Sequence, residues 1–130
     1  MSRRATAAAA AAYLGLAVLW AAPASLRPAQ AVPDLGDPLH LGWTMAWNAH
    51  QQVRQPGALF EANAFHPYPH SLTFGDHLLP ETLMVAPVLW TSGNPVLAYN
   101  VGVVAGLTLS ALALFLLVRH LTGSAPAAFL

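Results

Sequence analysis

An uncharged apolar run from Val96 to Val118, VLAYNVGVVAGLTLSALALFLLV, constrains this chain more than any other feature, and Arg119 and His120 close it. Wound as an α-helix at 1.5 Å per residue it is about 34 Å long, slightly more than the roughly 30 Å hydrocarbon core of a bilayer. A core helix of a water-soluble domain seldom needs that length without one charge, so the run reads as membrane-spanning. Composition points the same way: 8% of residues are charged and 56% hydrophobic, far from an ordinary globular domain. Lysine is absent and the formal charge is zero, which leaves nucleic-acid binding without an electrostatic basis. The lack of cysteine rules out disulfides and thiolate metal sites but does not identify a compartment. No internal repeat is visible.

The first apolar stretch, Ala5 to Ala22, follows Met1-Ser-Arg-Arg4. Small-residue sites at Ala22-Pro-Ala24 and Ala29-Gln-Ala31 fit a cleaved secretory signal. Ser2-Arg3-Arg4 touches the twin-arginine export pattern, although Ala-Thr-Ala-Ala replaces the strongly apolar residues expected after it. Against cleavage, the run is about 18 residues, longer than a typical signal core. Trp20 near its outer end suits an interfacial anchor. An uncleaved first span over residues 1–22 is the favoured reading. Arg3 and Arg4 before that span and Arg119 after the last place both ends in the cytoplasm by the positive-inside rule. Residues 23–81 then lie outside. All five carboxylates (Asp34, Asp37, Glu61, Asp76, Glu81) fall in that segment, with only Arg27 and Arg54 as counter-charges. Loops must carry polarity somewhere, which accounts for part of this segregation.

Within the loop, the proline-rich stretch Ala22 to Pro33 reads as an extended exit from the membrane. Asp37-Pro38 signals a helix start, with aspartate as cap and proline in the first turn. The helix, about residues 38–54, carries Leu39, Trp43, Ala46, Trp47, His50 and Arg54 at three- and four-residue spacing. His40, Thr44, Asn48 and Gln51 lie elsewhere around it. Such a helix is expected to lie on the outer membrane surface with its tryptophans at headgroup level, and Pro56-Gly57 ends it. Ala58 to His77 has no clear period, and Pro67 and Pro69 hold its middle extended, so His66 and His70 are not a helical metal pair. Leu78 to Trp90 is apolar but too short to span, with Pro80 and Pro87 interrupting it. Residues 82–95 therefore read as an interfacial or re-entrant segment leading through Ser92-Gly-Asn-Pro95 into the span at 96–118. Residues 119–130 form a cytoplasmic turn followed by the start of a further apolar segment, APAAFL, so the chain is expected to be the N-terminal piece of a longer multi-pass protein. The fold class expected is an all-α membrane protein.

Asp37 is the foremost candidate for chemistry. It either caps its helix, a contribution of about 1 kcal/mol, or acts as a general base toward a hydroxyl. The helix dipole favours its charged form and weakens it as a base. Asp34, in DLGD, shares that role or is a turn residue. Asp76, His77 and Glu81, with His66 and His70 nearby in sequence, offer oxygen and imidazole ligands for a divalent cation, yet show no recognised ligand spacing; loop histidines are commonly just polar. Glu61 and His50 are weaker candidates. No phosphate-cradling glycine loop, nucleophile elbow or zinc-protease motif is present. Gly102 and Gly106 make a GxxxG in the main span, a pattern frequent in apolar helices.

The ordered strings GDPLHLGWTMAWNAH, LFEANAFHPYPHSLTFGDHLLPETLMVAPV, TSGNPVLAYNV and LVRHLTGS resemble the N-terminal part of bacterial multi-pass membrane proteins related to the GT-C glycosyltransferase superfamily, over roughly Gly36 to Ser124. The resemblance implies an acidic residue in the first external loop, polyprenyl-phosphate monosaccharides as donors, and transfer with inversion at the outer face of the inner membrane. On this chain Asp37 is the matching aspartate and would deprotonate the acceptor hydroxyl. Asp76 would be a second acidic or metal-assisting group, His77 would meet the donor phosphate, and Arg54 is the one arginine in the matching loop for the lipid phosphate. Similar proteins often carry aspartate where this chain has Asn48, a departure that would leave Asp37 to act alone. The implied partners are membrane lipid and a lipid-linked sugar. Two other classes fit the residues: a non-catalytic membrane scaffold or assembly protein, in which the carboxylates cap helices and solvate the loop, and, less well, a transporter. A transporter would want ionisable residues inside the spans, where Val96 to Val118 offers only Asn100 and small hydroxyls.

Overall fold

A computed structural model describes residues 3–129. Met1 and Leu130, the outermost residues of the first and last segments, and Ser2 of the arginine pattern lie outside the described residues. The described chain is helical and contains no strand: α1 Arg3–Trp20, α2 Asp37–Arg54, α3 Leu79–Ser92, α4 Pro95–Thr122 and α5 Ala125–Phe129, with short 3-10 turns at Ala24–Leu26, Pro56–Ala58 and Ser71–Phe74. Among the described residues one helix, α4, is long and apolar enough to cross a membrane, and almost none of its most apolar stretch is covered. It runs on past the basic pair to Thr122, where the sequence suggested a turn after Val118. The α1 helix takes in Arg3 and Arg4, and its uncharged part, Ala5 to Trp20, is about 24 Å long.

The chain divides into two compact units, one formed by Met1–Leu26 with Val103–Leu130 and the other by Arg27–Gly102. In the first, Ala9, Phe115 and Ala128 are buried together, flanked by Tyr13, Leu112 and Leu116. Tyr13 stacks on Phe129 at 5.3 Å and meets Phe115 edge-on at 6.3 Å. Arg119 donates to Thr6 Oγ1 at 3.1 Å and lies 5.8 Å from the Phe115 ring centre. The basic end of α4 and the first turns of α1 are thus neighbours, with a cation held against an aromatic face.

In the second unit α2 packs on α3. Met45, Ala49, Val85, Ala86, Leu89 and Ala98 form its core. The face of α2 that packs is not the one carrying the aromatic spacing, which the sequence placed toward the membrane surface: Thr44, Asn48 and Gln51 are buried beside Met45 and Ala49, while Leu39, His50 and Arg54 are exposed. A polar seam makes this workable. Asn48 donates to the His77 carbonyl and, at 3.2 Å, to Thr82 Oγ1, and Thr82 donates to the Leu78 carbonyl at 2.7 Å. These bonds lower the cost of burying the Asn48 amide nitrogen and the Thr82 hydroxyl, while the Asn48 oxygen and the Thr44 hydroxyl have no partner among the described residues. The α3 segment is one continuous helix with Pro80 in its first turn and Pro87 inside it. Pro87 deprives only the Leu83 carbonyl of a partner, and both residues sit on the exposed side of α3, so the interruption expected at Pro87 does not occur. Gly93, at φ +64, closes α3 by donating to the Leu89 carbonyl at 2.8 Å, a left-handed stop that glycine adopts without strain.

Two glycines allow close approach. A Cβ on Gly42 would lie 3.3 Å from the Pro95 carbonyl oxygen, and one on Gly102 would lie 3.2 Å from Val85 Cγ1. Gly106 meets nothing within 4 Å, so only the first glycine of the GxxxG is used in packing among the described residues.

The segment after α1 is turned, not extended. Its carbonyls are gathered by two asparagines at the start of α4: Asn94 donates to Ala29 at 3.0 Å, and Asn100 to Pro28 at 2.8 Å and Ala31 at 2.7 Å. Asn94 also caps α4 by accepting from the Leu97 N–H at 3.0 Å, with Pro95 in the first turn. Asn100→Leu is expected to lower stability by about 2 kcal/mol, because it removes both hydrogen bonds of a buried amide. A thermal midpoint in detergent unchanged by Asn100→Leu would show that the strap holds nothing.

Candidate functional site

The DLGD turn precedes α2. Asp34 Oδ1 accepts the Gly36 N–H at 2.7 Å, and Gly36 is the capping position, so the helix begins at Asp37 and makes no side-chain cap bond. Asp37 is therefore not the cap that the sequence suggested; Asp34 holds the turn, and Asp37 stands in the first helical turn with its carboxylate exposed. Both carboxylates lie close enough to act electrostatically on the hydroxyl of Tyr99, a partly buried residue of α4. Tyr99 was absent from the sequence candidates; the polar pair Tyr99-Asn100 inside an apolar run was the available signal.

One turn beyond Asp37, the ring of His40 reaches the segment Gly75-Asp76-His77. Its Nε2 is 3.9 Å from where a Cβ on Gly75 would be, so the start of α2 and the GDH segment are neighbours. His40 begins a ladder of rings along α2, stacked on Trp43 at 5.8 Å, with Trp43 stacked on Trp47 at 6.4 Å. Trp47 donates to the Leu59 carbonyl at 2.9 Å. His77 sets its ring edge-on to Phe60 at 5.8 Å while its carbonyl takes the Asn48 amide. Asp76, His77 and Glu81 are all exposed.

The remaining candidates are elsewhere. Arg54 ends α2, seventeen residues after Asp37, a separation of about 25 Å along a helix, so one phosphate cannot touch both. His70 pairs instead with Glu61, Nδ1 to Oε1 at 2.7 Å. Among the described residues no group of three or more His, Asp or Glu side chains, Asp76, His77 and Glu81 included, is arranged to hold a metal ion. His50 is exposed near the far end of α2. A recess of about 540 Å³ lies within the loop, lined by Glu61, Asn63, His66 and Tyr68 with Pro67 and Pro69.

Comparison with known protein families, with characterised proteins and with solved structures finds no match for this chain.

Proposed function

We propose that this chain belongs to a multi-pass, glycosyltransferase-like enzyme of the inner membrane, related to the GT-C superfamily. In this reading it transfers a sugar from a polyprenyl-phosphate donor to an acceptor hydroxyl at the outer face. The acceptor oxygen bonds to the anomeric carbon as the bond from that carbon to the phosphate oxygen breaks. Its proton passes to Asp37, and polyprenyl phosphate leaves. The observation that carries this reading is the meeting of the Asp37 end of α2 with the GDH segment through His40 and Gly75. The exposed Asp37, His40 and the Gly75-Asp76-His77 segment are then neighbours, beside the Trp43 and Trp47 rings of α2, which suit a sugar ring's apolar face. The unit that holds them also supplies the first turns of the apolar helix α4. The test is transfer of radiolabelled sugar from polyprenyl-phosphate donors by the full-length protein in membrane vesicles, with its Asp37→Asn variant alongside. Labelled product from the wild type alone supports the assignment.

One observation favours a second reading, a non-catalytic scaffold. Asp34 is occupied in holding the Gly36 turn, the kind of structural use that such a protein would make of its carboxylates. In that reading neither protein forms product and Asp37→Asn has no phenotype.

A further inference from the structure

The loop between α2 and α3 is tied shut at its base and presents aromatic rings at its tip. Leu72 N–H donates to the Phe60 carbonyl at 3.1 Å, Ser71 Oγ to the Ala62 carbonyl at 2.9 Å, and the His70 N–H to Glu61 Oε2 at 3.0 Å. Ser71 and Leu72 are buried. This is the form of a compact Ω-loop, whose ends meet and whose middle is held out. Outside the base, Phe74 contacts Phe65 at 5.7 Å and Tyr68 at 6.1 Å between ring centres. All three are well exposed, at 57%, 60% and 66%. Phe65 adopts φ +58, a left-handed conformation that is unfavourable for a bulky residue. The chain thus holds three touching aromatic rings in the open.

We propose that Phe65, Tyr68 and Phe74 form a second membrane contact, in which the loop tip rests in the headgroup layer of the same bilayer that α4 crosses. The proposal rests on reading α4 as a membrane span and is separate from the chemistry assigned to Asp37. Three features select lipid as the occupant. The loop belongs to the same compact unit as the first turns of α4, so a spanning α4 confines it to the membrane surface. Its charge is suited to that layer: residues 60–74 include no lysine or arginine, and their one carboxylate, Glu61, is paired with His70. Its backbone is suited too. Pro67 and Pro69 have no N–H to desolvate, and the N–H groups of Tyr68, His70 and Thr73 are already bound to Phe65, Glu61 and His70. Aromatic rings prefer the membrane interface, and each N–H already bound or absent lowers the cost of placing the tip there.

The chain has no cysteine, so single substitutions place one label each. Full-length protein is inserted into vesicles of phosphatidylcholine and phosphatidylglycerol carrying nitroxide lipids, and an environment-sensitive fluorophore is attached at Tyr68→Cys, Gln55→Cys or Leu109→Cys. Phe74→Cys provides an independent tip position should Tyr68→Cys not fold. The tip label is expected to shift to the blue and lose most of its emission to nitroxides near the top of the acyl chain, while the label at Gln55, also exposed, keeps a water-like spectrum. A tip label that stays water-like while Leu109 is quenched by deep nitroxides overturns the proposal and leaves the span reading intact. A tip label that is shifted but not quenched means that protein covers the patch, which also overturns it. If Leu109 is not quenched by deep nitroxides, the span reading fails and takes this proposal with it.

Discussion

Asn48→Asp is expected to destabilise the folded chain by about 3 kcal/mol or more at neutral pH, the scale for burying a polar or charged group without its partner. Asn48 has no solvent exposure, and its amide nitrogen is the donor for the His77 carbonyl and Thr82. A carboxylate in its place offers acceptors to acceptors. The side-chain oxygen of Asn48 itself already lacks a hydrogen-bond partner among the described residues, as does the Thr44 hydroxyl one turn away. Burial would raise the folded-state pKa of the new aspartate above its unfolded value of about 3.9. The unfolded chain then releases the proton more readily, so the penalty is greatest at neutral and higher pH. It shrinks as pH falls through the raised folded value and disappears below the unfolded one, where a protonated carboxyl can donate to the His77 carbonyl. Thermal unfolding in detergent at neutral and acidic pH reads both effects. An unchanged midpoint at neutral pH would mean that the seam between α2 and α3 is not packed as described. In this chain the Asn48 amide ties α2 to the GDH segment.

Asp37→Asn is expected to reduce sugar transfer by roughly a hundredfold to ten-thousandfold, the usual contribution of a positioned general base, with normal membrane insertion and little change in stability. The carboxylate is exposed and makes no cap bond; its loss costs the helix only the dipole interaction, about 0.5 kcal/mol at an exposed site. Asp34→Asn provides the contrast. Its side chain holds the Gly36 N–H at 2.7 Å, and an amide oxygen can still accept that bond, so a much smaller loss of transfer is expected. A reversed order, with Asp34→Asn inactive and Asp37→Asn active, would move the base to Asp34. Equal activity in all three proteins would end the catalytic reading of this turn.

Much of the helical layout was legible because its signals are local. The uncharged run that forms most of α4, the Asp37-Pro38 start, the Pro56-Gly57 stop and the Gly93 turn each act within a few residues. The packing face of α2 was not legible, because Trp43 and Trp47 marked a face for the membrane surface and nothing marked Thr44, Asn48 and Gln51 as the buried side. The Asn48 amide becomes acceptable inside only when partners arrive from residues 77 and 82, which no periodicity reveals. Pro87 misled for a related reason: its effect on α3 depends on where the Leu83 carbonyl faces. At the site, the sequence pointed to Asp34, Asp37 and the GDH segment separately. Their connection runs through His40 and Gly75, residues with no motif of their own. Arg54 was named as the one arginine in the matching loop, and helix length alone removes it from the Asp37 end.

The loop bound by Asn94 and Asn100 has a mechanical corollary. With α4 seated in a bilayer as proposed, the helix cannot slide deeper along its own axis without dragging the carbonyls of Pro28, Ala29 and Ala31 into hydrocarbon. The asparagines act as a collar. They leave Val101 to Val118, about 27 Å of helix, for lipid tails to surround, with Arg119 and His120 as the stop at the other end. Immersion depth is then set by specific hydrogen bonds and not only by matching greasy length to bilayer thickness, so whatever is mounted on α2 keeps a fixed height above the lipid.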